Sequence, residues 1–301
     1  MNKPFHLGLD VGGTNLAAAV IDSRFNILSR ASIPAGAGRS IEAITDDMAK
    51  VSILAVERAG ISMEDVAGWG IGMPSCVNAR TNLLVHANCF GWHNVPIYDY
   101  LRGKLPLDVK IDNDANCAAL GEALAGAARG HENALMLTLG TGVGGGIILD
   151  GKIYAGADGM GAELGHSKLV FEGERCTCGQ KGCLEAYCSA TALQRDAARA
   201  GFEGDARAVF DAAKSGNPVA EGLVDRYIAY LAAGLSTFIT IFRPEIIILG
   251  GGVAAAGDRL FVPLREKMCE CTFGAEEIGL PPVIPALLGN DAGLVGAAFL
   301  F

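Results

Sequence analysis

The sequence predicts an α/β protein. Strand-like and helix-like segments alternate along the chain, two strands run into glycine clusters and emerge as new strands, and no low-complexity stretch divides the 301 residues. Any two domains are therefore joined by structured elements.

Phe5–Val11 is apolar enough for a buried strand, and a glycine turn leads from it to a second strand, Leu16–Ile21, with Arg24–Ile33 as a third. Ile41, Ile44, Met48, Val51, Leu54 and Ala55 recur at helical spacing, which predicts a helix over Ile41–Arg58 closed by Gly60. Val66–Gly72 and Val109–Ile111 read as short buried strands and Ala115–Ala125 as a helix. The pattern then restarts: strand Ala134–Leu139, a glycine turn, strand Gly146–Leu149. Two strand–turn–strand units suggest two related halves. Between Tyr154 and Cys188 the chain is rich in Gly, Cys and charge with little periodicity. Helices follow, with a strand at Glu245–Leu249 and a last helix near Asp291–Phe301.

Half of the residues are hydrophobic and 19% are charged, which excludes disorder. The net charge of −9, with no run of Lys and Arg, argues against nucleic acid as a partner. No export signal opens the chain. The longest uncharged stretch, Tyr227–Phe242, falls short of the roughly 20 residues a membrane span needs and reads as a buried core helix. A cytoplasmic, reducing location follows, where nine cysteines point to metal binding or burial before disulfides.

Three glycine clusters close strands. In Asp10-Val11-Gly12-Gly13-Thr14-Asn15 the glycines let backbone N–H groups approach an anion, Thr14 adds a hydroxyl, and Asp10 could orient Mg²⁺ near the same phosphates. Leu139–Gly146 is a second such loop, with Gly140, Thr141, Gly142, Gly144 and Gly145. Neither ends in Gly-Lys-Ser/Thr, so neither is a Walker A motif, and a strand rather than a helix follows each, unlike a dinucleotide fingerprint. Ile246–Leu249 runs into Gly250, Gly251 and Gly252, a flat backbone surface on which a planar base could lie. Each cluster alone could be a plain turn; three in one chain favour a nucleotide. Gly142→Val is accordingly expected to weaken nucleotide binding strongly and to leave binding of a second ligand nearly intact, since Asn113, Asp114 and Glu185 lie on other segments.

His166, Cys176, Cys178 and Cys183 crowd one glycine-rich segment. One His and three Cys suit tetrahedral zinc, and four protein ligands leave no open position, so the metal would be structural. Asp112-Asn113-Asp114 sits between a strand end and a helix start. Asp112 is weighed as an N-cap, whereas Asp114 can accept a hydroxyl proton in phosphoryl transfer, since strand ends of α/β proteins face ligands. Glu163 and Glu185 flank the Cys/His segment, which would hold both carboxylates for a hydroxyl-rich ligand.

These motifs, in this order, resemble the ROK family (repressors, open reading frames, kinases), and within it the bacterial glucokinase-like sugar kinases. The resemblance spans nearly the whole chain, and the cysteine segment is its most specific part. It implies an actin-like ATPase (ribonuclease H-like) fold of two α/β lobes with a ligand cleft between them. The expected division is a small lobe over 1–117 plus 290–301 and a large lobe over 118–289, with the zinc segment at 163–185. It further implies ATP with Mg²⁺ across the two glycine loops, adenosine against Gly250–Gly252, structural zinc, and a homodimer. The sugar would be held by Asn88, Asn113, Asp114, Glu163, His166 and Glu185, with Asp114 taking the proton from the hydroxyl, commonly the 6-OH.

Asn15 stands where many relatives have Lys, and Ser75 and Asn78 depart from the family's Gly-x-Pro-Gly-x-Val-Asp. The family's repressors carry an N-terminal helix-turn-helix, for which this chain leaves no room before its first strand. A hexose kinase, most simply for glucose, is therefore the expected function. N-acetylmannosamine, allose or fructose are alternative substrates, and a sugar-sensing regulator or a structural ATPase are the competing classes.

Overall fold

The computed structural model describes residues 3–36, 38–87 and 89–301. Along the chain run β1 (Phe5–Val11), β2 (Asn15–Asp22), β3 (Ile27–Pro34), α1 (Ile41–Ala59), β4 (Val66–Met73), β5 (Cys76–Asn78), β6 (Leu83–Ala87), β7 (Trp92–Val95), α2 (Ile97–Leu101), β8 (Val109–Asn113) and α3 (Asp114–Ala125). Then come β9 (Ala134–Leu139), β10 (Val143–Leu149), β11 (Lys152–Ile153), α4 (Glu185–Cys188), α5 (Ala190–Arg199), α6 (Ala206–Lys214), α7 (Pro218–Phe242), β12 (Ile246–Gly250), α8 (Asp258–Cys271), α9 (Ala275–Ile278), β13 (Val283–Pro285) and α10 (Asp291–Ala298). Two compact units result, the first from 1–132, 146–162 and 287–301, the second from 133–145 and 163–286. These boundaries fall elsewhere than the expected 117/118 and 289/290. The reason is that α3 packs along α10, which keeps the whole of α3 in the first unit.

In the first unit a sheet of order β3-β2-β1-β4-β8 is antiparallel on the β1–β2–β3 side and parallel across β1–β4–β8. Strand alternation sorts β1. Leu7, Leu9 and Val11 join the main core, which also takes Ile44, Met48 and Val51 of α1. Gly8 and Asp10 face the other way, toward α10. A Cβ on Gly8 would lie 2.1 Å from the Leu294 carbonyl oxygen, and one on Gly70 of β4 would lie 1.7 Å from that of Ala297, so α10 rests directly on the sheet backbone. In register, Asp10 pairs with Gly72 and Gly72 with Asp112, which lines both carboxylates up at the carboxyl ends of parallel strands.

Gly60 closes α1 in the left-handed conformation, as its position predicts. The third strand starts at Ile27 rather than Arg24. The Asp22 carboxylate accepts from the N–H groups of Arg24 and Asn26, and this turn delays it. A small sheet, β5-β6-β7, has no counterpart in the sequence reading. Its strands have three to five residues and carry polar positions such as His86, His93 and Asn94.

In the second unit β10 (through Gly145), β9, β12 and β13 are neighbours in that order, while the end of β10 runs on into the first unit and pairs with β11. β12 is parallel to both β9 and β13. Each unit thus builds on strand, glycine turn, strand, with two parallel strands added beyond the first. That shared order is the internal repeat suggested by the two glycine turns, and it is the α/β organisation of the actin-like ATPase fold. The uncharged stretch forms the second half of the 25-residue α7, capped by Asn217 with Pro218 in its first turn, and it buries Leu231, Leu235, Phe238 and Ile239. Among the described residues no helix is long and apolar enough to cross a membrane.

Candidate active site

Sequence-predicted site residues gather around the ends of β1, β4 and β8 in the first unit. The N-cap of α3 is Asn113, not Asp112: its Oδ1 accepts from the N–H groups of Ala115 (2.8 Å) and Asn116 (3.3 Å). Asp112 instead accepts from the Asn113 N–H (2.7 Å) and the Asn116 amide (2.8 Å), which orients the cap. Asp114 is the first residue of α3, and its Oδ1 accepts from the Ala115 N–H at 2.8 Å. The helix N-terminus favours a carboxylate there. Beneath them the buried Cys117 thiol is pushed well up, first by burial and then by the charges of Asp112, Asp114 and Asp10.

Burial, with the Asp114 charge added, raises the Asp10 carboxyl to about 6. A cation beside it would relieve both costs, so Asp10 fits the Mg²⁺ role expected of it. The sign of the effect on stability is fixed. Both states hold the proton below the ordinary 3.8, and the unfolded chain ionises first between 3.8 and about 6, so folding loses stability across that window. Without ligand, Asp10→Asn should stabilise the protein at pH 8 by up to about 3 kcal/mol and by clearly less at pH 5. Urea denaturation at the two pH values measures this; an equal gain at both would contradict it.

The first glycine loop closes with Gly12 N–H donating to Asn15 oxygen at 2.9 Å and leaves Thr14 and Asn15 exposed beyond Gly13. Of the departures, Asn78 makes a turn, its Oδ1 accepting from the N–H groups of Arg80 and Thr81. Ser75 is buried, and its carbonyl accepts from the Asn113 amide at 3.4 Å. Asn88 lies outside the described residues.

In the second unit the Cys/His segment folds as a tight loop. Gly182 has φ 75°, and a Cβ there would sit 1.7 Å from the Val170 carbonyl oxygen, so only glycine fits. Zn–S bonds of about 2.3 Å put two thiolates of a tetrahedral site about 3.8 Å apart. Cys178 and Cys183 sulfurs are 3.7 Å apart, Cys176 Sγ is 3.6 Å from His166 Nδ1, and all four donor atoms lie within 4.8 Å of one another. The donor set fits zinc, with Nδ1 as the ring nitrogen on the thiol side. Elemental analysis should find about one zinc per chain, and Cys178→Ser should remove most of it and weaken sugar binding. Metal-free protein with an unchanged sugar KM would break that link. Glu163 is exposed and precedes the single helical turn over 164–166 that presents His166.

The second glycine loop is held from several sides. Gly140 N–H donates to Gly142 oxygen, Ala190 N–H to Gly140 oxygen at 2.8 Å, Thr191 Oγ1 to Thr141 oxygen at 2.8 Å, and Val143 N–H to Glu185 Oε2 at 3.1 Å. Glu185 is 8% exposed; its Oε1 accepts from Thr177 Oγ1 and lies 3.3 Å from Cys176 Sγ. A Cβ on Gly142 would stand 2.5 Å from Glu185 Oε2. The expectation that Gly142 and Glu185 are independent is therefore corrected: they touch. Gly144 is half-buried in β10, and a Cβ on Gly145 would meet Leu164 at 2.6 Å, which makes Gly145 a packing position.

A cavity of about 600 Å³ opens beside this loop, lined among others by Thr141, Thr191, Gln194, Phe210, Gly252 and Arg259. That volume suits a nucleoside. Of the three strand-end glycines only Gly252 lines it. Gly250 packs against Met136, and Gly251, with φ 83°, abuts the Leu139 carbonyl. Gln194, Phe210 and Arg259 sit on α5, α6 and α8 and carry no motif that sequence reading could find; Arg259 pairs with Asp211 at 2.6 Å.

This fold, with its paired glycine loops and its Cys/His clamp, defines an actin-like α/β phosphotransferase class. The model of the ROK family matches residues 6–301, and the chain belongs to the ROK family. A glucokinase of Thermotoga maritima is 36% identical, over 97% of this chain and 95% of its own. A ROK hexokinase structure from Thermus thermophilus superposes with a TM-score of 0.87 at 37% identity, covering 98% of this chain and 96% of that one. A Streptomyces griseus ROK glucokinase in complex with glucose and AMPPNP gives 0.82 at 34% identity, covering 98% of each chain.

Proposed function

We infer that this chain, a ROK sugar kinase, transfers the γ-phosphate of ATP to the 6-hydroxyl of a hexose, glucose in the first place. The observation that carries the reading is Asp114: a carboxylate at a helix N-terminus, at the end of a parallel strand, beside the half-buried Asp10. The sugar oxygen forms the new bond to the γ-phosphorus, the bond from that phosphorus to the β–γ bridging oxygen breaks, ADP leaves, and the hydroxyl proton passes to Asp114. Sugar contacts are proposed for Asn88, Asn113, Glu163, His166 and Glu185. Phosphate contacts are proposed for Gly13, Thr14 and Asn15 and for Thr141, Gly142 and Gly144, with Gly12 and Gly140, whose N–H groups close the two loops, shaping them, and with the nucleoside in the cavity beside Gly252. Mg²⁺, when bound, would neutralise phosphate charge, with Asp10 as its protein anchor. A homodimer and a cytoplasmic location belong to the same proposal.

A panel of hexoses with ATP in a coupled ADP-release assay tests the reading, and glucose should show the highest kcat/KM. No hexose-dependent ADP release would end it. Preference for N-acetylmannosamine, allose or fructose would replace glucose. Light scattering reads the oligomeric state.

A further inference from the structure

Nine residues, Cys183–Thr191, connect the last ligand of the Cys/His centre to the second glycine loop. The segment is short and fixed at both ends. At its start Cys183 belongs to the Cys/His set whose donor atoms suit a metal, and further on Tyr187 Oη accepts from the Glu174 N–H at 2.6 Å, two residues before Cys176. In its middle the Cys188 carbonyl accepts from the buried Tyr227 hydroxyl of α7 at 2.6 Å. Three bonds from the segment reach the loop: near its start Glu185 Oε2 takes the Val143 N–H, and at its far end the Ala190 N–H donates to Gly140 oxygen and Thr191 Oγ1 to Thr141 oxygen.

The consequence lies in what these bonds occupy. They take the loop's carbonyls at Gly140 and Thr141 and the N–H of Val143, and they fix the peptide planes on both sides of Gly142. Among the described residues the N–H groups of Thr141 and Gly142 have no protein acceptor. Two successive N–H groups without a protein acceptor, between pinned neighbours, are available to an anion, and Thr141 also lines the 600 Å³ cavity. An isolated glycine-rich loop would have to be ordered by the ligand at the ligand's expense; here the ordering is already done.

We propose that Glu185 is a positioning residue for the nucleotide loop, and that Cys183–Thr191 is a strap through which the Cys/His centre presets phosphate binding before any sugar arrives. This rests on the nucleotide reading of the loop. It differs from the sugar-contact role of Glu185, because it requires an effect on nucleotide affinity with no sugar present.

Calorimetry with Mg–ADP in sugar-free buffer tests it, with zinc content and Tm measured on each variant. Glu185→Ala should raise the ADP Kd about tenfold, as expected for the loss of one charge-assisted hydrogen bond. Glu185→Gln, whose amide oxygen can still accept from Val143, should stay within about threefold of wild type. Thr191→Val keeps the side-chain shape, touches no metal ligand, and should weaken ADP about three- to fivefold by freeing the Thr141 carbonyl. Unchanged ADP affinity in zinc-loaded Glu185→Ala would overturn the proposal. If Glu185→Ala sheds zinc or melts early, Thr191→Val decides, and wild-type ADP affinity in that variant would equally overturn it. Wild-type protein that binds no ADP would remove the nucleotide reading and the strap with it, whereas ADP binding without phosphoryl transfer to any hexose would remove only the kinase reading.

Discussion

Asp114→Asn should lower kcat by about 10²–10⁴ while sugar binding survives in part, the usual consequence of losing a general base. The substitution is nearly isosteric, and an amide oxygen can still accept the Ala115 N–H that Asp114 Oδ1 takes at 2.8 Å. The cap of α3 is Asn113, so the helix start keeps its cap when the Asp114 charge is lost. What the amide cannot do is receive the proton of the attacking hydroxyl. A second readout separates this role from a structural one. The Asp114 charge is the lesser cause, after burial, of the raised Asp10 carboxyl. In Asp114→Asn the Asp10 titration should therefore move down from about 6 but stay above its ordinary value. Stopped-flow turnover together with NMR titration of Asp10 checks both. Retention of more than about a third of kcat would take Asp114 out of the base role.

The parts of this site that were legible in the sequence are those where one residue type is forced by local geometry. Gly182 and the cysteines around it announce a metal loop because no other side chain fits between the ligands. The two strand–turn–strand units announce the repeat because a period-two apolar run cannot reverse tightly without glycine. Asp114 is visible for the same reason, as a carboxylate at the junction of a buried strand and a helix. The residues that were not legible act through long-range packing. Gln194, Phe210 and Arg259 come from three helices whose sequences read as ordinary amphipathic surface, and only the fold brings them to one cavity. Nor does spacing along the chain reveal that Glu185 reaches back to Val143, a separation of 42 residues. The polar short strands β5, β6 and β7 were silent because their apolar positions are too few to set a period.

The glycine clusters show the same limit more sharply, because similar sequence serves different ends. Gly251 needs its positive φ and its lack of a side chain, Gly145 yields space to Leu164, and Gly252 opens onto the cavity. Only geometry separates a glycine kept for packing from one kept for a ligand.

Gly142→Val is the variant in which that separation has the largest measurable effect. Gly142 is not in the left-handed region, so valine there meets no positive-φ strain, and the stability cost is that of local overpacking, about 1–3 kcal/mol. The cost is steric and local. The new Cβ would stand 2.5 Å from Glu185 Oε2, whose carboxylate is held by the Val143 N–H and the Thr177 hydroxyl and cannot simply swing away. Displacing it shifts the Val143 peptide and the N–H groups of Thr141 and Gly142 together. Misplacement of a phosphate cradle on the scale of 1 Å can cost about 10²-fold, so the KM for ATP should rise by roughly that factor. Sugar affinity should fall as well, by about three- to tenfold, because the moved carboxylate is the proposed sugar ligand. Calorimetry with ADP and with glucose, each alone, separates the two losses, and thermal melting shows whether the fold survives. Loss of ADP binding with glucose affinity untouched would show that Glu185 serves the loop and not the sugar. ADP and glucose affinities both within about threefold of wild type would show that the loop at Gly142 is not where the nucleotide binds.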